Sequence, residues 1–430
     1  MTKRKIVIVG GGFGGLYAAK YLAERLAQND EWEVVVLSNT SYLLFYPLLI
    51  KVATGQVESR HASVFLRGYL DRCRVVLGQF LDYDPQRQQL RFQPHLHDEP
   101  QTMTYDHLVL ALGSKTVMPD IPGLAQNART MHSIEDALES RQLFLDRLEM
   151  AEGEADPAKR RELLTFTIVG GGYTGCELAI DFYEFLQDAQ TLYPHVNADD
   201  IHVHLVEMEK QLLPGMPEKL SQATQQHLEN RGVQLHLEDS LESVDRQQAR
   251  LKSGMILPGG GLYWCAGVGP TRATQNLKLP KNKKGFIKTT EYLNVPGDEH
   301  VWAIGDCAAN PSPGGSVYPP TAQIALKMAR HLAKNILRST VDKPILACRV
   351  KSAGMIIPLG KHYAAAQIRS LTMTGIVPWF VWGSYYAWRI PRISNKFKLA
   401  FDLIMDEFSG RDVGDPALLV RSRDQRQQAA

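Results

Sequence analysis

An α/β fold with two Rossmann-like dinucleotide-binding domains and a C-terminal amphipathic helical segment is what this 430-residue sequence predicts. Three observations carry the prediction. A β-branched apolar run, a G-x-G-x-x-G loop and a helical stretch follow one another from Ile6 to Leu22, and the same order recurs from Phe166 to Ile180. Beyond Ser370, an uncharged aromatic stretch leads into a helix-period apolar pattern.

The first run, Ile6 to Val9, reads as a parallel strand buried on both faces. Gly10, Gly12 and Gly15, with Phe13 and Gly14 between them, have separate tasks. Gly10 permits the tight turn, Gly12 lets the backbone approach a pyrophosphate, and Gly15 lets helix and strand pack closely. The helix N-terminus then offers N–H groups and a partial positive charge to phosphate. Glu33 to Leu37 is the next strand, and an acidic residue ordinarily ends it to hold a ribose hydroxyl. Ser38 stands there, followed by Asn39 and Thr40, so the ribose contact is neutral and weaker or is made elsewhere.

The run Phe45-Tyr46-Pro47-Leu48-Leu49, continued by Ala53-Thr54-Gly55, is an apolar loop. It suits the wall of an aromatic ligand, against the plainer reading of a connection between surface and core. Tyr105 to Ser114 is another buried strand ending in small residues, among them Ala111 and Gly113. Charge crowds residues 135–162, which read as a solvated helix and linker with a break at Ala155-Asp156-Pro157.

The second glycine loop holds Gly170, Gly172, Tyr173, Thr174 and Gly175, and its following strand ends in Glu207. A carboxylate there accepts hydrogen bonds from ribose hydroxyls and repels a 2′-phosphate; with no arginine beside it, NADH is favoured over NADPH. An insertion around residues 186–198 lengthens the spacing between loop and acid. Leu262 to Val268, containing Gly267, is a short strand entering a turn. Val301 to Ala308 is a strand ending in Gly305-Asp306, where Asp306 is read as binding a cofactor hydroxyl at a strand C-terminus. Pro319-Pro320-Thr321 opens a helix whose first residues are Ala322 and Gln323.

Composition narrows the class. A net charge of +2 argues against a dedicated nucleic-acid binder. Five scattered cysteines without a C-x-x-C pair fit a reducing compartment and offer no metal site. Structure is expected to begin at Lys5, which leaves no room for a signal peptide; the protein is cytoplasmic or has lost a leader.

With these residues assembled, the chain resembles the type II NADH:quinone oxidoreductases, flavoproteins with two dinucleotide-binding domains. The resemblance rests on both glycine motifs, Phe45 to Leu49 with Ala53-Thr54-Gly55, Thr174, Glu177-Leu178-Ala179, Glu207, Ile304 to Ala308, and Thr321 to Ala325. It implies FAD at the first motif, with Ser38, Asn39, Pro47, Thr54, Ala111, Gly113, Gly305, Asp306, Ala322 and Gln323 around it. NADH falls at the second motif, with Glu207 and Gly267. It also implies a quinone beside Gln323 and places Glu177 where nicotinamide and flavin meet. Glu177, Gln323 and Lys327 are thus the candidate catalytic residues. Two positions depart from the family pattern: Ser38 replaces an acid, and Lys327 replaces a second glutamine.

The expected division is residues 1–116 and 286–345 for the FAD domain, 117–162 for a linker, 163–285 for the NADH domain and 346–430 for membrane association. Ser370 to Trp388 carries no charge, but glycines and a proline interrupt it, and its tryptophans and tyrosines look like an interfacial belt rather than a span. Arg389, Arg392, Lys396 and Lys398 follow, and Phe397, Ala400, Phe401, Ile404, Met405 and Phe408 line one helical face. That face reads alone as core, homodimer interface or membrane contact; the resemblance selects a peripheral anchor on the cytoplasmic face of a membrane. The expected activity is transfer of two electrons from NADH through FAD to quinone without proton pumping. The alternatives are a demethylated-quinone reductase, a sulfide:quinone reductase and a non-enzymatic NADH or flavin sensor.

Overall fold

The structure, a computed structural model, describes residues 3–409, 411 and 413. Two compact units divide it. One takes in the chain up to Leu44, Ser63–Lys115 and Val268–Ser352; the other takes in Phe45–Ala62, Thr116–Gly267 and the described chain from Ala353 onward.

The first unit is built on a seven-stranded sheet in the order Val301–Ala303, His107–Leu110, Arg4–Val9, Trp32–Ser38, Arg74–Asp84, Gln89–Pro94, Gln101–Thr104. The first five strands are parallel and the last two extend the sheet as an antiparallel meander. Strand periodicity sorts the side chains. Val7, Val9, Val35, Leu37, Leu108, Leu110 and Val301 point into one buried cluster, while Ile6 and Ile8 are buried on the opposite face. Helix Phe13–Arg25 packs along helix Ala322–Ser339. Thr321 caps the latter, its Oγ1 accepting from the Ile324 N–H at 3.3 Å.

The second unit has a four-stranded parallel sheet, Gln234–Leu237, His202–Glu207, Thr165–Val169, Leu262–Trp264. Helix Tyr173–Gln190 follows the central strand. Each unit thus has the strand–glycine loop–helix order of a dinucleotide-binding domain.

Several segments differ from the sequence expectation. Residues 135–162 hold the expected helix, but it is not solvated on all sides. Helix Ile134–Glu152 buries Ala137, Ser140, Phe144, Leu145, Leu148 and Ala151, and Phe144 meets Phe166, Phe182 and Tyr263 at ring distances of 5.1, 4.4 and 6.5 Å. A narrow apolar stripe is easily hidden among many charges. The break itself stands where expected: Asp156 caps helix Pro157–Leu163, accepting from the Ala158 N–H at 2.9 Å. Phe45–Ala62 is not a plain loop either. It forms a 3₁₀ turn, Tyr46–Leu48, and a short helix, Leu49–Ala53, packed on helices Ile134–Glu152 and Tyr173–Gln190. The chain re-enters the first unit at Val268, ahead of residue 286, because Leu277 and Ile287 join that unit's core.

From Ala353 onward comes an antiparallel sheet, Met355–Pro358, Ala364–Ile368, Leu371–Gly375, which the sequence reading did not foresee. Helices Ile376–Arg389 and Ile393–Ser409 complete the described chain. Pro378 lies in the first turn, where no intrahelical N–H is lost. No described helix is long and apolar enough to cross a membrane.

Candidate nucleotide-binding sites

In the first unit the candidate residues gather at the C-terminal ends of neighbouring strands. Gly10 follows Arg4–Val9 with φ +113°, a conformation that favours glycine, and its N–H donates to the Leu37 carbonyl at 2.8 Å. A Cβ on Gly10 would strike the Ala111 carbonyl, and one on Gly15 would strike the Gly10 carbonyl. Gly12 is different: a Cβ there would meet nothing within 4 Å, so the backbone stands open in front of the helix. Phe13 and Gly14 continue the first turn, with Gly14 against Ile304. Gly113 (φ +65°) and Gly305 (φ +72°) sit at two more strand ends. The Ser114 hydroxyl donates to Asp306 Oδ2 at 3.4 Å, and Asp306 lines a cleft with Gly305, Thr321, Ile324 and Ala325. This cradle fits a flavin dinucleotide: open backbone at the pyrophosphate position, a helix N-terminus behind it, and a carboxylate at an adjacent strand end.

Ser38 is buried at the end of its strand, and its hydroxyl accepts from the Thr40 N–H at 3.3 Å. Asn39 beside it is exposed. Gln323 and Lys327 lie one turn apart on the same helix face. Gln323 Oε1 accepts from the Ser352 hydroxyl at 3.3 Å, and Lys327 Nζ donates to the Lys351 carbonyl. They are therefore brought together with each other and with the 351–352 segment.

In the second unit the arrangement repeats. Gly170 has φ +114° and donates to the Val206 carbonyl at 2.8 Å, Gly175 abuts the Gly170 carbonyl, and Gly172 again has open space where a Cβ would be. Tyr173 begins the helix half-buried, and Thr174 is exposed. Glu207 is fixed at its strand end by two backbone donors, Gly171 N–H at 2.5 Å and Glu209 N–H at 2.9 Å. A carboxylate has about four lone-pair sites, so acceptor capacity is left for ribose hydroxyls. Gly267 (φ +79°) has open space around it and ends the unit's central segment. These residues fit NADH. Pro47 lies in the 3₁₀ turn, and Thr54 is buried with its hydroxyl donating to the Ile50 carbonyl at 3.0 Å. Neither side chain meets the glycine loop of this unit in any described hydrogen bond.

Glu177, one turn into the helix, has a buried carboxyl oxygen, Oε1, without a hydrogen-bond partner. Burial pushes this carboxyl up to about 8, with Lys51 opposing the rise and Asp181 adding to it. Burial thus favours the protonated carboxyl over the carboxylate. Sequence reasoning missed Lys51 and Asp181, which form a buried ion pair with Nζ 2.9 and 2.6 Å from the two carboxylate oxygens. A signal was present: Lys51 is the only charge between Phe45 and Val57, and Asp181 stands one turn after Glu177.

The five cysteines are free thiols. Burial lifts Cys73, Cys265 and Cys307 to about 12 and Cys348 to about 11, and drives Cys176 well above the ordinary thiol range. Such thiols are poor nucleophiles. Among the described residues no cluster of three or more His, Cys, Asp or Glu is placed to hold a metal.

Helix Ile393–Ser409 is turned inside out. Its acids face the protein: Asp402 meets His61 Nδ1 at 2.6 Å and the Glu58 N–H at 3.2 Å, Asp406 accepts from Gln56 at 2.9 Å, and Glu407 meets His362 at 2.8 Å. Its apolar side faces out, with Phe397 73%, Phe401 62%, Ile404 55% and Phe408 84% exposed. Val377 and Phe380 on the preceding helix are exposed too.

Comparison with known proteins agrees with this architecture. The chain is 27% identical over 433 residues to a type II NADH:quinone oxidoreductase of Haemophilus influenzae, covering 94% of this chain and 98% of the relative. It is also 27% identical over 398 residues to a demethylphylloquinone reductase of Synechocystis, covering 91% of this chain and 93% of the relative. A solved structure of NDH2 from Plasmodium falciparum in complex with NADH superposes with a TM-score of 0.88 at 20% identity, covering 96% of this chain and all of that one, and shares the fold. The model of the pyridine nucleotide-disulphide oxidoreductases matches residues 4–329, and the chain belongs to that family.

Proposed function

We propose that this protein oxidises NADH and delivers two electrons, by way of FAD, to a membrane quinone without pumping protons. The observation that carries the reading is the duplication of one device: two open glycine cradles at helix N-termini, in two units, only one of which ends its second strand in a carboxylate. The relatives' names point the same way. FAD, when bound, supplies the two-electron carrier between hydride donor and quinone. The first unit holds it through Gly10, Gly12 and Gly15, with Asp306 as the hydroxyl acceptor and Ala322 and Gln323 at the helix start. Glu207 orients the NADH ribose in the second unit and selects against a 2′-phosphate. Glu177 holds a proton close to the nicotinamide end, and the overall reaction takes up one proton from solvent besides the hydride. Gln323 and Lys327 orient the quinone carbonyl from one helix face.

The outward apolar side of helices Ile376–Arg389 and Ile393–Ser409 rests on the cytoplasmic face of a membrane. Arg389, Arg392, Lys396 and Lys398, with no acid among them, match anionic headgroups, and the helix acids are already engaged with protein. A homodimer through this face is the competing occupant. Thiols raised by burial are poor nucleophiles, which argues against sulfide or disulfide chemistry. The demethylated-quinone reading keeps the same residues and differs only in acceptor.

The test is the absorption spectrum of purified protein. A flavin band that NADH bleaches and quinone restores is expected. A preparation that takes up no flavin on reconstitution overturns the reading, and flavin without quinone-dependent turnover favours the sensor alternative. Comparing methylated and demethylated quinones assigns the acceptor.

A further inference from the structure

The short helix Leu49–Ala53 brings one ammonium, Lys51, into the interior of the second unit, where it is 3% exposed. It lands on both oxygens of Asp181, at 2.9 and 2.6 Å, and Asp181 is fully buried. The Trp382 ring covers Nζ at 5.5 Å, and Tyr386, one turn further along helix Ile376–Arg389, packs edge-on against Phe45 at 5.7 Å. Glu177 lies four residues before Asp181 on helix Tyr173–Gln190, so the two carboxyls share one helix face.

The charges around Glu177 can be counted. Lys51 faces it from the short helix, Asp181 from its own helix, and the Tyr386 phenol from helix Ile376–Arg389. The next acid along, Glu184, is matched separately by Arg411 at 3.0 Å, Arg231 at 3.4 Å and the Lys361 N–H at 2.8 Å. One cation is thus shared by two carboxyls, and Asp181 takes it with both oxygens. Glu177 is left with a buried oxygen that nothing bonds. A buried ion pair is a weak source of stability compared with apolar side chains of the same volume.

We propose that the Lys51–Asp181 pair is a positioning device for Glu177, keeping the one nearby cation among the described residues occupied so that the Glu177 carboxyl stays protonated in the working enzyme. The proposal rests on the reading of Glu177 as the proton-holding group on the NADH side. Asp181 is the setting element and Lys51 the charge it withholds. Neutralising Asp181 frees the ammonium for Glu177, whereas removing Lys51 strips away the attraction that remains.

The experiment titrates Glu177 directly in full-length, flavin-loaded protein without NADH. The infrared carbonyl band of its protonated carboxyl is identified by its loss in Glu177→Gln. Asp181→Asn should move the midpoint of that band down by about one to three pH units, and Lys51→Met should move it up. The basic limb of kcat/KM for NADH should follow in the same two directions. Opposite shifts are the signature, because a pair that only holds the helices together would lower stability in both variants and leave both midpoints in place. If Lys51→Met does not fold, the double variant Lys51→Met with Asp181→Asn, a neutral pair of similar size, replaces it. Its midpoint should return above that of Asp181→Asn alone. Midpoints that stay put, or move the same way, overturn the proposal while the proton-holding reading survives. A kcat/KM limb that Glu177→Gln leaves intact removes that reading and the proposal with it.

Discussion

Replacing Phe401 and Phe408 by serine tests whether the outward face of helix Ile393–Ser409 is a membrane contact or unfinished core. The two side chains are 62% and 84% exposed, which for aromatic residues of roughly 200 Å² each leaves about 290 Å² of largely apolar surface in water. If half of that area enters the lipid, at about 25 cal/mol per Å² it contributes about 3.6 kcal/mol, a several-hundred-fold change in partition. Co-sedimentation with vesicles containing anionic lipid reads that change. The folded state, by contrast, buries little of either ring. Unfolding free energy measured in denaturant should stay within about 0.5 kcal/mol per substitution, as for ordinary surface changes. Unchanged partition together with a loss of several kcal/mol of stability would instead assign the two rings to the protein's own core. A change in molecular mass with unchanged partition would assign the face to a homodimer.

Gly12→Ala should give apoprotein that melts normally yet fails to retain flavin, because a Cβ there meets no protein atom but occupies the pyrophosphate approach; Gly15→Ala should instead fail to fold, its Cβ striking the Gly10 carbonyl. Spectral flavin content and thermal melting separate the two. Glu207→Gln should raise KM for NADH by about 10- to 100-fold, the cost of losing a charged acceptor, with kcat far less affected in steady-state assays. Gln323→Ala should raise KM for quinone by about tenfold and leave reduction of the flavin by NADH unchanged in stopped-flow traces. For Glu177, the folded-state value of about 8 lies above the ordinary 4.5, so the stabilisation is fully present below about 4.5 and is lost as pH rises through about 8. Glu177→Gln should flatten that decline in melting temperature between the two values, and an unchanged slope would contradict it.

Periodicity and glycine spacing made much of the fold legible in advance. Ile6 to Val9 and Phe166 to Val169 are continuous apolar runs because parallel strands are covered on both faces, and the glycines after them answer to backbone sterics that any reader of the sequence can apply. Asp306 was legible as an acid at a strand end, and Glu207 likewise. Helix Ile134–Glu152 was misread as solvated because its six buried positions are outnumbered by charges. The strands between Met355 and Gly375 were missed because short, partly exposed antiparallel strands leave no strong alternation.

What the sequence determined by itself was therefore local: which runs become strands, where the backbone must bend tightly, and which helix has an apolar side. Tertiary structure alone decided that Lys51 reaches Asp181 across 130 positions, leaving a buried Glu177 oxygen without a hydrogen-bond partner, and that the last described helix turns its acids inward. Both depend on which side chains lose water together. Burial and charge pairing are properties of neighbourhoods in space, which no spacing along the chain encodes.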